Sequence, residues 1–373
     1  MQLLNKIIVW FVLSLLVILF AGYSVYQSDT ALLLEDIVAG NGESRLKNKA
    51  PTPQRLEQTI PFNVNSWLID IYKPSTGEAQ AVIMLIPGAD EHGKDERRLV
   101  AFAYSLARVG FMVLVPELPD FQNFRLRPEN AQQVALLVKQ LYQQGVVNRE
   151  RPFGIAAFSY AVGPVFLAAS SAELVEQVDF ILAVGGYYNI YDSVSYITTG
   201  YFQTKEKSYY LTPHPYARMV LVESHLEFLG EHDQRILRRV INRLMRDQGA
   251  PVKDLVAQLS PAARALYTLA ENRDPKKVKS LIDSLPKAMK SNIASLDLAS
   301  HQLHRLHSQV ILIHGRDDNM IPFPQSQQLG AVLPNSYVYI VDGLSHVDVR
   351  QDLMDSYTFF QAIRALLQLR KQA

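Results

Sequence analysis

The stretch from Gly154 to Phe166 reads Gly-Ile-Ala-Ala-Phe-Ser-Tyr-Ala-Val-Gly-Pro-Val-Phe, and its reading decides the fold. The small and branched apolar residues Gly154 to Ala157 predict a short strand buried on both faces. Val162 to Ser170 reads as a helix, with Pro164 in or just after the first turn, where a missing N–H costs least. Ser159 stands between them, flanked two residues either way by Ala157 and Ala161. That places a serine on a sharp strand-to-helix elbow, where two backbones approach closely and only small neighbours fit. Alanine meets the steric need without glycine's torsional freedom.

Outward from the elbow, strands alternate with helices. Ala81 to Ile86 is a continuous apolar run stopped by Pro87 and Gly88, and Phe111 to Val115 is another, closed by Pro116. Between them Leu99, Phe102, Ala103, Leu106 and Ala107 recur at helical spacing, ending at Gly110. Further strands are expected at Phe180–Val184, Val310–Ile313 and Tyr337–Val341, and an antiparallel edge hairpin at Leu56–Phe62 and Ser66–Tyr72. The fold class is therefore α/β, with a mostly parallel sheet of eight strands flanked by helices. From Gly186 to Ser308 no strand pattern appears, whereas apolar stripes such as Ile236, Leu237, Val240, Ile241 and Leu244 predict amphipathic helices inserted as a cap. The expected divisions are a segment 1–28, a linker 29–55, a first core part 56–186, a helical cap 187–308 and a second core part 309–373.

Composition removes several classes of function. The 373 residues carry 37 basic and 36 acidic side chains, a formal charge of +1 that lacks the footprint of a nucleic-acid binder. Cysteine is absent, which excludes disulfides, thiolate metal sites and thiol nucleophiles together. Residues 7–28 contain no charge and at 1.5 Å per helical residue would cover roughly 30 Å, enough to span a bilayer. Lys6 precedes this run and Asp29, Glu35 and Asp36 come after it, which predicts an N-terminal transmembrane anchor with the body outside the cytoplasm. Gly22 and Ser24 leave a cleaved signal peptide as the rival, in which case the body is an exported soluble protein.

A serine hydroxyl is a poor nucleophile until a base takes its proton and an acid orients that base. After the strand at Val310–Ile313 come His314, Gly315, Arg316, Asp317 and Asp318; after the strand at Tyr337–Val341 come Asp342, Gly343, Leu344, Ser345 and His346. A carboxylate and an imidazole thus sit past strand ends on the same sheet edge as Ser159, in the order Ser, Asp, His.

In that order on that fold, the chain resembles the α/β-hydrolase superfamily over residues 56–373, apart from the capping helices. The resemblance implies a serine hydrolase, most simply a carboxylesterase, with Ser159 as nucleophile and His346 as base. Its acid frame, a glycine, two residues, then Asp with a branched residue and proline after it, selects Asp318 over Asp317. One oxyanion donor is the N–H of Tyr160, next after the nucleophile. The resemblance places the second at Ala89, although Pro87 replaces the family's common His-Gly lead. Such donors typically contribute about 3 to 4 kcal/mol each.

Other groups admit plainer readings. Tyr187 and Tyr188 open the cap, where they either line a substrate pocket or pack the cap onto the sheet. His301, His304 and His307 fan over about 120° of a helix and read as a solvated surface, so no metal or other cofactor is expected. The partner is a small acyl substrate, besides a membrane at residues 7–28. The alternative class is a membrane-anchored scaffold that kept the hydrolase fold without its activity, which the alanines at the elbow keep open.

Overall fold

The structure is a computed structural model and describes residues 26–62, 65–204, 206–347, 349–350, 353–354 and 356–371. Near the start of the described residues lie helix α1 (Asp29–Ala39), capped by Ser28, and the short α2 (Arg45–Lys49), capped by Ser44. Residues 29–55 are therefore not the expected linker. Leu32, Leu33, Leu34 and Leu46 are buried in the same core cluster as the C-terminal helix, and the buried Asp36 binds Ser44, Lys47 and Arg108. The short apolar run carries no sustained period, so only its tertiary partners reveal it as a helix. Of the predicted membrane segment, residues 7–25 lie outside the described residues. Among the described residues no helix is long and apolar enough to cross a membrane.

A hairpin comes next, β1 (Gln54–Phe62) and β2 (Asn65–Lys73), then β3 (Ala81–Ile86), α3 (Arg97–Arg108), β4 (Phe111–Pro116), α4 (Glu129–Gln143), β5 (Phe153–Phe158), α5 (Val162–Ala169) and β6 (Phe180–Val184). The inserted cap contains α6 (Ile190–Thr199), β7 (Tyr201–Gln203), β8 (Ser208–Tyr210), α7 (Pro215–Glu223), α8 (Glu231–Arg246), α9 (Pro261–Ala270), α10 (Val278–Asp283) and α11 (Lys287–Ser295). The chain returns through β9 (Gln309–Gly315), α12 (Pro324–Val332), β10 (Ser336–Val341) and α13 (Tyr357–Gln368).

The sheet has eight strands in the order β1-β2-β4-β3-β5-β6-β9-β10. Its orientation is mixed, because β2 runs antiparallel to both its neighbours while every other pairing is parallel. Strands β3 and β5, near the middle, are apolar along nearly their whole length because helices cover both faces. All parallel strands end on one rim, which gathers the loops after β3, β5, β6, β9 and β10.

The cap has its own apolar core, built by α8, α9 and their neighbours. It holds onto the sheet through polar ties: Asn292 Nδ2 donates to the Leu126 carbonyl at 2.9 Å, and Gln325 Oε1 accepts the N–H groups of Tyr188 and Asn189. Two sequence expectations fail here. The cap is not wholly helical, because it contains the β7–β8 hairpin; these three-residue strands are too short to show a period and are fixed by cross-strand ring pairs, Tyr201 on Tyr210 and Phe202 on Tyr209. The segment bearing His301, His304 and His307 is not a helix but two short 3-10 turns, since Leu298, Leu303 and Leu306 all turn into the core. A spacing of five residues and then three cannot share one narrow helical stripe.

Candidate active site

Ser159 leaves β5 at φ +54°, a left-handed conformation that costs an L-residue roughly 1 to 2 kcal/mol. Among the described residues only Phe124 shares such a φ without being glycine. The strain persists because β5 and α5 fix the chain on either side of a single 3-10 turn, Ser159–Ala161. The turn also leaves the N–H of Tyr160 at a helical start, where no partner exists within the helix. The loop after β3 presses on the elbow. A Cβ added at Gly88 would lie 3.1 Å from Ser159 Cβ and 3.2 Å from the Phe158 carbonyl oxygen, so the close approach depends on glycine.

Asp318, at the end of the β9 turn, is 1% exposed. Its Oδ1 accepts the N–H groups of Met320 and Ile321 at 2.8 and 2.9 Å, and its Oδ2 lies 2.8 Å from Nδ1 of His346. A carboxylate only accepts, so that Nδ1 carries the proton and leaves Nε2 of His346 free to act as a base. Burial would raise the Asp318 carboxyl, but the rings of His346 and His314 outweigh it and hold the group well below the usual carboxylate range. Asp317, the other candidate, is exposed. Gly185, at φ +62°, turns the end of β6 beneath this pair, with its added Cβ 3.2 Å from both Asp318 Oδ2 and His346 Nδ1.

His314 is a contributor to which the sequence alone assigns no role. It is fully buried, with Nε2 at 2.9 Å from the Ile321 carbonyl and 3.1 Å from Asp318 Oδ2. Both partners accept, so Nε2 donates and Nδ1 accepts from Ser326 Oγ at 2.7 Å. The ring thus clamps the turn that carries Asp318. Its one sequence signal is its place at the end of a buried strand, four residues before the carboxylate.

Ser159, His346, Gly88, Ala89 and Tyr160 all line one cavity of about 940 Å³. Cap residues reach into it: Tyr216 donates its hydroxyl to the Ala89 carbonyl at 3.1 Å and stands edge-on to Phe124. Tyr187 and Tyr188 do not belong to this lining. Tyr187 is buried in the core, stacked on Tyr160 and set against Gly163, while Tyr188 is held by Gln325. The packing alternative therefore describes them, since Tyr187 lies against Gly163 of α5 and Tyr188 packs on the same core cluster, neither in the cavity lining. Among the described residues, no three His, Asp or Glu side chains gather as metal ligands would.

No protein-family model matches the chain. Among solved structures it is similar to a "putative hydrolase" from Legionella pneumophila, at 12% identity and a TM-score of 0.55, over 88% of this chain and 94% of that one. The fold is α/β-hydrolase-like. A further similarity, to a "putative lipase" from Acinetobacter baumannii, has a TM-score of 0.48 at 15% identity, over 88% of this chain and 95% of that one. In sequence, 68 residues are 34% identical to the "Putative carbamate hydrolase RutD" of Pseudomonas syringae, which is 18% of this chain and 25% of that protein. The chain thus spans about a quarter of the curated relative it matches.

Proposed function

We propose that the protein is a serine hydrolase that cleaves a carboxylic ester through an acyl-enzyme. The observation that carries this reading is the strained Ser159 in one cavity with His346, whose other ring nitrogen is bonded to the buried Asp318. His346 Nε2 takes the Ser159 proton as Oγ attacks the ester carbon, and the carbonyl electron pair moves onto its oxygen. The N–H groups of Tyr160 and Ala89 receive that charge. Collapse of the tetrahedral adduct breaks the bond to the alcohol, which leaves with the proton from His346. Water then attacks the acyl-serine with His346 again as base, releasing the carboxylic acid and restoring Ser159. Asp318 stays ionised throughout, orienting the ring and stabilising its charged form.

An alcohol leaving group needs only the proton that His346 already holds, so an ester makes the fewest further demands on the site. The stretch shared with the carbamate hydrolase fits an electrophile of the same acyl type. Labelling with a fluorophosphonate tests the reading directly. The wild-type protein is expected to form an adduct that Ser159→Ala abolishes, and a folded wild-type protein without that adduct defeats the proposal.

A further inference from the structure

The cap holds a cavity of its own, of about 100 Å³, between α7, α8 and the end of α9. On α7, Arg218, Met219 and Val222 share the face that lines it. Val240, Ile241 and Leu244 come from α8, and Tyr267 of α9 closes the third side. Val222 and Val240 form a buried apolar floor, whereas Met219, Leu244 and Tyr267 keep exposed surface and Met245 is 37% exposed, so the cavity opens to solvent. Its charged lining is Arg218 together with Glu271 and Arg273, just past α9. Two guanidiniums against one carboxylate leave it net positive.

The two arginines differ in what they already hold. Arg273 donates through Nη1 to the carbonyls of Thr198 and Asn272 at 3.2 and 2.8 Å, and through Nη2 to Glu271 at 3.3 Å. The half-buried Arg218 holds nothing: its Nε is shut away from solvent without a partner, and among the described residues no carboxylate or carbonyl takes its guanidinium. Burial and the neighbouring Arg273 pull it below the ordinary arginine value, against the opposing pull of Glu271 and Tyr210. A guanidinium nevertheless stays charged, and a polar atom buried without a partner calls for a water, an ion or a ligand to satisfy it.

A bare phosphate or sulfate would answer the charge and leave the apolar floor uncovered, while a hydrocarbon would cover the floor and leave the guanidinium alone. A carboxylate accepts two parallel bonds from a guanidinium, and an alkyl tail on it covers the two valines. The volume limits that tail. An apolar cavity of about 150 Å³ accepts the six carbons of benzene, so one of about 100 Å³ takes roughly four.

We propose that this cavity binds a short-chain aliphatic monocarboxylate, with Arg218 holding the carboxylate and a tail of about four carbons lying on Val222 and Val240. The site goes beyond the hydrolase reading and does not depend on Ser159. Met245 lines this cavity and not the catalytic one, whereas Met320 lines the catalytic one and not this, so NMR of isotope-labelled methionine methyls in the full chain separates the two. Pentanoate is expected to move the Met245 signal saturably, with a midpoint of about 1 to 10 mM. Acetate lacks the tail and pentanamide the charge, and each is expected to bind at least about fivefold more weakly. Arg218→Gln is expected to weaken pentanoate about tenfold to a hundredfold, and Arg218→Lys by less. Movement of Met320 without Met245 would put the acid beside Ser159 and overturn the proposal. No movement of Met245 up to about 100 mM overturns it too, as does a midpoint that Arg218→Gln leaves unchanged. Equal affinity for acetate or for pentanamide, either of which would reduce the site to a bare anion contact or a bare apolar one, overturns it as well. These two comparisons use the wild-type chain and decide the matter if Arg218→Gln does not fold.

Discussion

The rim of the sheet and the cap above it each hold a histidine beside a hydrogen-bond acceptor, and of the two only the one on the rim faces both a carboxylate and a cavity. In the cap, His225 is 4% exposed, with Nδ1 at 2.8 Å from the Leu221 carbonyl and Nε2 without a partner among the described residues. The carbonyl only accepts, so Nδ1 holds the proton and the bare Nε2 faces protein, where burial pushes the ring below its ordinary value. On the rim, His346 keeps part of its ring open to the cavity and faces an ionised carboxylate instead of a carbonyl. Both rings carry the proton on the same nitrogen. The difference is a full negative charge on one side and an open cavity on the other, which are the two things the proposed proton transfer requires.

Breaking each histidine in turn puts that contrast to its hardest test. His346→Gln is expected to lower kcat by about 10⁴ to 10⁶, the loss typical when a triad base is removed, whereas His225→Gln is expected to change kcat by less than tenfold. Steady-state kinetics on a short ester check both, and a comparable loss from the two variants would erase the distinction. Asp318→Asn keeps the shape but offers an amide where Nδ1 needs a charged acceptor. A fall in kcat of about 10⁴ is expected, as when the carboxylate of a triad is neutralised, with substrate KM little changed. His314→Gln acts through Asp318 rather than on substrate. Its expected cost is about tenfold to a hundredfold in kcat, through slight misplacement of the carboxylate, and the shorter His314→Asn is expected to cost at least as much because it cannot reach both Ile321 and Ser326.

These contrasts also mark how far a sequence can reveal a site. The elbow at Ser159 and the strand ends carrying Asp318 and His346 are legible because buried strands announce themselves as apolar runs, and the residues just after such a run must lie on the rim. The neighbouring aromatic pair Tyr187 and Tyr188 is not, since its place is set by tertiary packing against α5 and the core, which no local pattern encodes. Phe124 and Tyr216 escape a sequence reading for a related reason. They meet across 92 positions of chain, at a ring separation of 6.2 Å, and the left-handed backbone of Phe124 carries no glycine to signal it. The helix at Asp29–Ala39 hides its nature by packing against α13, the last helix of the chain.

The smallest effect concerns His225 alone and sharpens the comparison from the side of stability. Its folded state resists the proton, because a charged ring would sit where Nε2 has no partner, while the unfolded chain takes a proton near the ordinary histidine value of about 6.5. The sign comes from linkage. Where the unfolded state binds more protons, stability rises with pH, so the contribution is fully present above that value and declines as pH falls below it. Thermal melts at pH 7.5 and 5.0 should therefore show a drop of a few degrees that His225→Phe reduces, the phenyl ring offering the site nothing to protonate. The variant gives up the bond to Leu221, so its melting point at pH 7.5 is expected to lie below that of the wild type. It is the smaller slope between the two pH values that identifies the buried imidazole. Identical slopes would mean that the cap admits enough water to solvate the charge, and the contrast with the rim would then rest on the Asp318 carboxylate alone.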